Sequence, residues 1–197
     1  DVNRSFPGTS RGSLASRVAN TLTRKILPYI DVALDFHTGG SSRFNYPQVR
    51  YAKIDKKAEE LSMVFGTKYI IQKPFIPKSF RKTAREHNIP TVVFEGGESV
   101  RLNGHAIISG INGLKRVLAH LDMQHVNIND NQIKSILIQK TSWLRAPYSG
   151  IFIWSKESGS IVQKGEPLGV LKDAYGSKSI TVSATRGGHI IGHSNAS

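Results

Sequence analysis

Apolar positions from Ser13 to Leu121 fall into two rhythms. Leu14, Val18, Leu22 and Ile26 recur every fourth residue, which predicts one face of a helix over Ser13 to Tyr29. Pro28 limits that helix at its end. Val32, Leu34 and Phe36 then alternate with Ala33 and Asp35, the period of a strand running into His37 and stopped by Gly39 and Gly40. A second strand is expected from Val49 to Ile54, and Asp55 is placed to cap a helix carrying Ala58, Leu61 and Phe65. Tyr69 to Gln72 reads as a short buried strand. Ser79 caps a helix through His87, Asn88 suits its end, and Pro90 prevents its continuation. Thr91 to Phe94 is a compact β run ending at Glu95-Gly96-Gly97. Ile107, Ile111, Leu114, Leu118 and Leu121 stripe a long helix from Asn103 to Leu121. Strands alternating with helices predict an α/β layer, its sheet largely parallel or mixed and flanked by helices.

After residue 123 the helical period disappears. His125 to Gln132 is polar and asparagine-rich, the composition of a linker. Beyond it, Ile136–Gln139, Ile151–Trp154, Ser160–Val162, Leu168–Leu171, Ile180–Val182 and His189–Ile191 are short β-rich runs separated by glycine, proline and serine. That pattern predicts a small all-β sandwich or barrel, so two domains are expected, 1–123 and 132–197. Lys164-Gly165-Glu166 reads as a hairpin tip.

The 197 residues are 39% hydrophobic and 21% charged, enough apolar material for a packed core. There is no cysteine, which excludes disulfides, cysteine-ligated zinc and a cysteine nucleophile. No apolar run approaches the roughly 20 residues of a membrane span, and no membrane partner is expected. The formal net charge is +13. Its basic residues are scattered and form no dense run interleaved with aromatics, so a solvated basic surface is favoured over nucleic-acid binding. A positive field around a cleft would also raise the encounter rate of a small anionic substrate.

Ligands of open α/β sheets bind outside the carboxyl ends of the strands. Two expected strands end there in ionisable groups, Asp35-Phe36-His37-Thr38-Gly39-Gly40 and Val93-Phe94-Glu95-Gly96-Gly97-Glu98. A histidine and a glutamate so placed can converge on one crevice, the imidazole as a metal ligand and the carboxylate as a general base. The bland reading competes. A lone strand-end histidine is more often a hydrogen-bonded structural residue, and such a glutamate more often pairs with an arginine.

The first eight residues, Asp1-Val2-Asn3-Arg4-Ser5-Phe6-Pro7-Gly8, resemble the Asp-x-Asn-Arg-x-Phe-Pro-Gly motif of the zinc carboxypeptidase superfamily. The nearer branch is the aspartoacylase and succinylglutamate desuccinylase family. Asp35-Phe36-His37-Thr38 is similar to its second zinc-histidine motif, and Pro90 to Glu95 is similar to the strand that delivers its catalytic glutamate. The three occur in the family's order over residues 1 to about 121. The resemblance implies a zinc carboxypeptidase-like fold and a zinc cofactor. It implies that Arg4, assisted by Asn3, binds the substrate carboxylate, a contact that suits a planar guanidinium. His37 would ligate zinc and Asp35 would set its surroundings. Glu95 would take a proton from metal-bound water attacking an amide or ester carbonyl. Arg81 and Arg85 precede the glutamate strand, where a solvated helix face is favoured over a reach to substrate. The family's His-x-x-Glu motif is not found before Asp1, so the chain is expected to be N-terminally incomplete, short of two ligands and inactive by itself. His189 and His193, four apart in a glycine-rich β context, do not obviously replace them.

Residues 145–152 and 162–169, weakly echoed at 183–190, look like the biotinyl/lipoyl-type barrel-sandwich that follows the catalytic domain in this branch. No lysine stands in a lipoylation or biotinylation hairpin, so no covalent cofactor is expected. The pattern stops soon after Gly192, so a clipped C-terminus is expected too. The favoured function is zinc-dependent hydrolysis of a small N-acyl amino acid or related carboxylate. A carboxypeptidase acting on peptides, a noncatalytic basic binding module and a carrier domain are the alternatives. A small anionic substrate is the expected partner, homo-oligomerisation stays open, and a cytoplasmic location is expected with the periplasm not excluded.

Overall fold

The computed structural model describes residues 1–125 and 133–195. The expected linker therefore lies, apart from His125, outside the described residues. The chain divides into two compact units. The first holds Asp1–His37, Pro47–Glu95 and Gly104–Lys140, the second Thr38–Tyr46, Gly96–Asn103 and Thr141–Ser197.

The first unit is α/β. Strands β1 (Ala33–Gly39), β2 (Arg43–Tyr51), β3 (Tyr69–Gln72), β4 (Thr91–Glu98) and β5 (Ile136–Ile138) take the order β1-β4-β2-β3-β5. Pairs β2–β3 and β3–β5 are parallel. The helices are α1 (Leu14–Lys25), α2 (Lys56–Phe65), α3 (Phe80–Glu86) and α4 (Gly104–His120). Capping follows the sequence. Asp55 accepts from the Ala58 N–H at 3.1 Å to start α2, and Ser79 from the Lys82 N–H at 3.2 Å to start α3.

Alternation along the strands divides the sheet's two faces. Leu34, Val49, Tyr51, Ile70, Val92 and Phe94 pack with Ala58, Leu61 and Phe65 of α2 and Val117 of α4. Phe36 joins them, its ring centroid 6.2 Å from Phe65 and 5.5 Å from Phe94. The residues between, Ala33, Asp35, His37, Arg50 and Glu95, belong to the other face. There Ala33 packs with Leu27, Ala84 and Ile89.

Two helices turn a different stripe inward from the one their large apolar residues suggest. Along α4 the buried positions are Ala106, Gly110, Gly113 and Val117, while Ile107 and Ile111 are exposed. The phenylalanines on the opposing surface leave no room for more: a Cβ on Gly113 would lie 2.0 Å from the Phe65 ring. In α1 the buried positions are Ala19 and Thr23, whereas Leu14 is 70% exposed. The preceding loop occupies that side, with Thr23 Oγ1 donating to the Pro7 oxygen at 3.0 Å and the Thr9 N–H to Ser16 Oγ at 2.9 Å. A Cβ on Gly8, whose φ is +78°, would meet the Ser16 carbonyl oxygen at 2.1 Å.

In the second unit, β6 (Ile151–Trp154), β8 (Pro167–Lys172) and β9 (Ser179–Ser183) form an antiparallel sheet in the order β6-β8-β9. β7 (Ile161–Val162) pairs with β10 (Gly188–His189), and β11 (Gly192–Ser194) pairs antiparallel with Arg43–Asn45 at the start of β2. Val162, Leu168 and Ala184 form a small core with Phe152 and Ile190.

Three expectations change. Ile136–Ile138, assigned from sequence to the all-β part, pairs instead with β3, satisfying its backbone in the α/β sheet. β2 starts at Arg43 rather than Val49, because β11, far along the chain, supplies its first hydrogen-bonding partners. Lys164-Gly165-Glu166 is a turn but not a hairpin tip, since β7 and β8 on either side of it belong to different sheets. No helix among the described residues is long and apolar enough to cross a membrane.

Gly113→Ala and Gly104→Ala should have opposite signs in urea unfolding. The first forces a methyl into a packed ring and costs about 1–3 kcal/mol before roughly 1 kcal/mol of helix propensity is returned. The second meets nothing within 4 Å and gains a few tenths. Equal midpoints for the two variants would contradict the close approach of α4.

Candidate active site

Period-two spacing puts Asp35 and His37 on the same side of β1. His37 Nε2 lies 2.8 Å from Asp35 Oδ2. This hydrogen bond raises the imidazole above its ordinary pKa, against the opposing pull of partial burial. Negative charge on Asp35 and Glu95 adds to the rise, while Arg50 acts against it. Glu95 stands on the neighbouring strand β4, and its Oε1 accepts from Arg50 NH1 on β2 at 2.8 Å. The His37 side chain is 30% exposed and that of Glu95 13%, so neither is sealed in the interior. Both project from within their strands and not from the ends the sequence suggests, because β1 continues to Gly39 and β4 to Glu98.

Arg81 of α3 completes the group from above the sheet. It is buried, with NH2 donating to the carbonyls of Lys73 at 3.2 Å and Pro74 at 2.8 Å. The solvated helix face expected for it is therefore wrong, whereas Arg85 is half-buried. Burial and the charge of Arg50 push the Arg81 guanidinium below its ordinary pKa, while Asp35, Asp55 and Glu95 oppose the shift. Lys73 is also lowered, by burial and then by Arg50. Among the described residues, Arg50 Nε, Arg81 NH1 and both side-chain polar atoms of Gln48 are buried without a hydrogen-bond partner.

Asn3 and Arg4 take other contacts. Asn3 Oδ1 accepts from the Phe80 N–H at 2.8 Å, tying the N-terminal turn Val2–Arg4 to the start of α3. Arg4 is exposed, and its NH1 donates to the Asn3 carbonyl at 2.6 Å. Sequence reasoning passed over Arg50. Its signal was a cation between Val49 and Tyr51, two residues that face the helices, which sends the arginine to the side of Asp35, His37 and Glu95. His189 and His193 lie on separate strands. His193 Nδ1 is 2.7 Å from Ser158 Oγ, and its ring stacks on Phe44.

Zinc is tested by the donors present. A catalytic zinc takes three protein ligands and a water. Among the described residues no three His, Cys, Asp or Glu side chains gather to hold a metal ion. His37 fits as one ligand. With Nε2–H given to Asp35, its lone pair is at Nδ1, the second-sphere arrangement common to metal-bound histidines. The set as a whole does not fit.

Residues 1–121 match the model of the succinylglutamate desuccinylase/aspartoacylase catalytic domain, more than half of the chain, and the protein belongs to this family. It is 36% identical over 76 residues to the N-alpha-acetyl-L-2,4-diaminobutyric acid deacetylase of Halomonas elongata, covering 36% of this chain and 22% of that protein. Among solved structures it resembles the succinylglutamate desuccinylase/aspartoacylase of Rhodobacter sphaeroides, at a TM-score of 0.86 and 21% identity over 100% of this chain and 63% of that one. It also resembles the product-bound ectoine utilization protein EutE (DoeB) of Ruegeria pomeroyi, at a TM-score of 0.84 and 22% identity over 97% and 61%. At these identities the likeness establishes the fold. The chain spans less than two thirds of the length of each of these relatives.

In metal-free protein, the His37 imidazole should titrate in an NMR pH series with a midpoint above its ordinary value of about 6.5. Because the folded value is the higher one, the Asp35–His37 pairing stabilises the fold fully below about pH 6.5 and is lost as pH rises through the raised midpoint. Asp35→Asn should bring the midpoint down. A wild-type midpoint at or below the ordinary value would contradict the pairing.

Proposed function

We propose that the full-length protein hydrolyses the amide, or ester, bond of a small N-acyl amino acid or related carboxylate, with Glu95 as general base. One observation carries this reading: Asp35, His37, Arg50 and Glu95 share one side of the sheet, opposite the packed phenylalanines and partly open to solvent. Family membership supports the class of reaction, and the deacetylase relative supports an N-acyl substrate.

The chain's residues then take distinct tasks. Glu95 accepts a proton from the attacking water and returns it to the leaving nitrogen as the C–N bond breaks. NH1 of buried Arg81, which has no hydrogen-bond partner among the described residues, and exposed Arg4 meet the substrate carboxylate. Asn3 holds the first turn against α3, which fixes where both arginines start from. His37, oriented by Asp35, is the ligand this chain offers to zinc, which when bound acidifies water and polarises a carbonyl. Zinc requires further ligands that the described residues do not bring to His37. Residues 141–197 are read as the barrel-sandwich domain of this branch, supported by the β6-β8-β9 sheet and the β7–β10 pair.

A second reading has its own observation: Glu95 is already ion-paired to Arg50, the arrangement of a purely structural carboxylate in a noncatalytic module. Glu95→Gln in the full-length protein separates the two. With N-acetyl and N-succinyl amino acids as substrates, turnover should fall about 10²–10⁴-fold while zinc content by metal analysis is unchanged. Wild-type turnover in that variant would remove Glu95 as the base.

A further inference from the structure

We propose that Arg50 is a positioning residue for Glu95, an inference that rests on the reading of Glu95 as the base. The two side chains come from adjacent strands, and Arg50 NH1 donates to Glu95 Oε1 at 2.8 Å. A glutamate carboxylate turns about its last bond unless something holds one oxygen. The guanidinium is planar and rigid, so its donor at this distance holds the position of Oε1 and narrows the carboxylate's rotation. Alternation along β2 gives the arginine its direction, with Val49 and Tyr51 fully buried on either side of it.

Stability alone does not account for this arginine. Its Nε is buried without a partner among the described residues, which disfavours the fold, and ion pairs taken out of water return little net free energy. What Arg50 adds is orientation. A general base must stand within about 2.6–3.2 Å of the proton it removes, and a misplacement near 1 Å costs on the order of 10²-fold in rate. The bond runs from side chain to side chain, so the effect assigned to Arg50 passes through the carboxylate.

The test uses steady-state kinetics of the full-length protein. Arg50→Ala should lower kcat by about 10²-fold with KM nearly unchanged, and millimolar methylguanidinium should restore part of the loss. Methylguanidinium should do nothing for Glu95→Gln. The double variant should be no slower than Glu95→Gln alone, because the arginine acts only through the carboxylate. A rise in KM at constant kcat would overturn the proposal by making Arg50 a substrate ligand, and so would additive losses in the double variant. Should Arg50→Ala fail to fold, Arg50→Lys carries the test. It keeps one charged donor without the planar fork, so its kcat should lie between wild type and Glu95→Gln, and wild-type kcat would overturn the role. Undiminished turnover in Glu95→Gln is a different failure: it removes the base itself, whereas normal kcat in Arg50→Ala beside an inactive Glu95→Gln removes only the positioning.

Discussion

Packing of the apolar face of the sheet against α2 and α4 fixes where the ionic side chains stand. Phe36 and Phe94 alternate with Asp35, His37 and Glu95 along β1 and β4, and Val49 and Tyr51 flank Arg50 on β2. A slip of one residue in any of these strands would turn a carboxylate or guanidinium into the packed layer and a ring into water. Each buried ring or branched chain contributes roughly 1.5–3 kcal/mol, and an unpaired buried charge costs more than that. The arrangement of Asp35, His37, Arg50 and Glu95 is therefore held by the apolar side of the sheet.

The same aromatic layer decides how the helices pack, and this shows how far the sequence could be read. The elements themselves were legible: alternation marked β1, a short apolar run marked β3, Asp55 and Ser79 marked helix starts, and Thr91 to Phe94 marked β4. Their rotation was not. A stripe of large apolar residues is the ordinary sign of a buried helix face, yet α4 buries Ala106, Gly110 and Gly113. When the opposing surface carries Phe36, Phe65 and Phe94, the volume is already filled from the other side, and the helix must offer little. Periodicity counts only one partner of a packing pair. β5 and the start of β2 escaped for a related reason: both depend on pairings with strands distant in sequence, which no local window contains.

Within the site, His37 and Glu95 were singled out in the sequence as strand-end residues and by resemblance to family motifs; the structure puts both inside their strands, because β1 and β4 run on, and on one side of the sheet. Arg50 and the burial of Arg81 were not. A cation in a strand or short helix is read by default as solvated, because most are. What reverses that default is the direction of its neighbours: Val49 and Tyr51 for Arg50, and the carbonyls of Lys73 and Pro74 that receive Arg81. Arg50 and Arg81 stand with His37 against Asp35 and Glu95, and burial depresses the charged form of Arg81. The positive field of a chain with net charge +13 draws anions towards it.

The Arg50–Glu95 pair bears on both readings of the site and separates them on energetic grounds. As a stabilising device it is poor. Its carboxylate is only 13% exposed, its guanidinium leaves Nε unpartnered, and desolvation offsets much of the attraction. An apolar pair filling the same volume would serve the fold as well. As a device for orientation it is better, because one rigid donor at 2.8 Å holds a carboxylate oxygen in place. The Asp35–His37 pair has the same character: one oxygen at 2.8 Å from Nε2 sets both the tautomer and the plane of the ring. Two ion pairs on adjacent strands, each weak as a source of stability and strong as a constraint on direction, are what the roles proposed for Glu95 and His37 would both require.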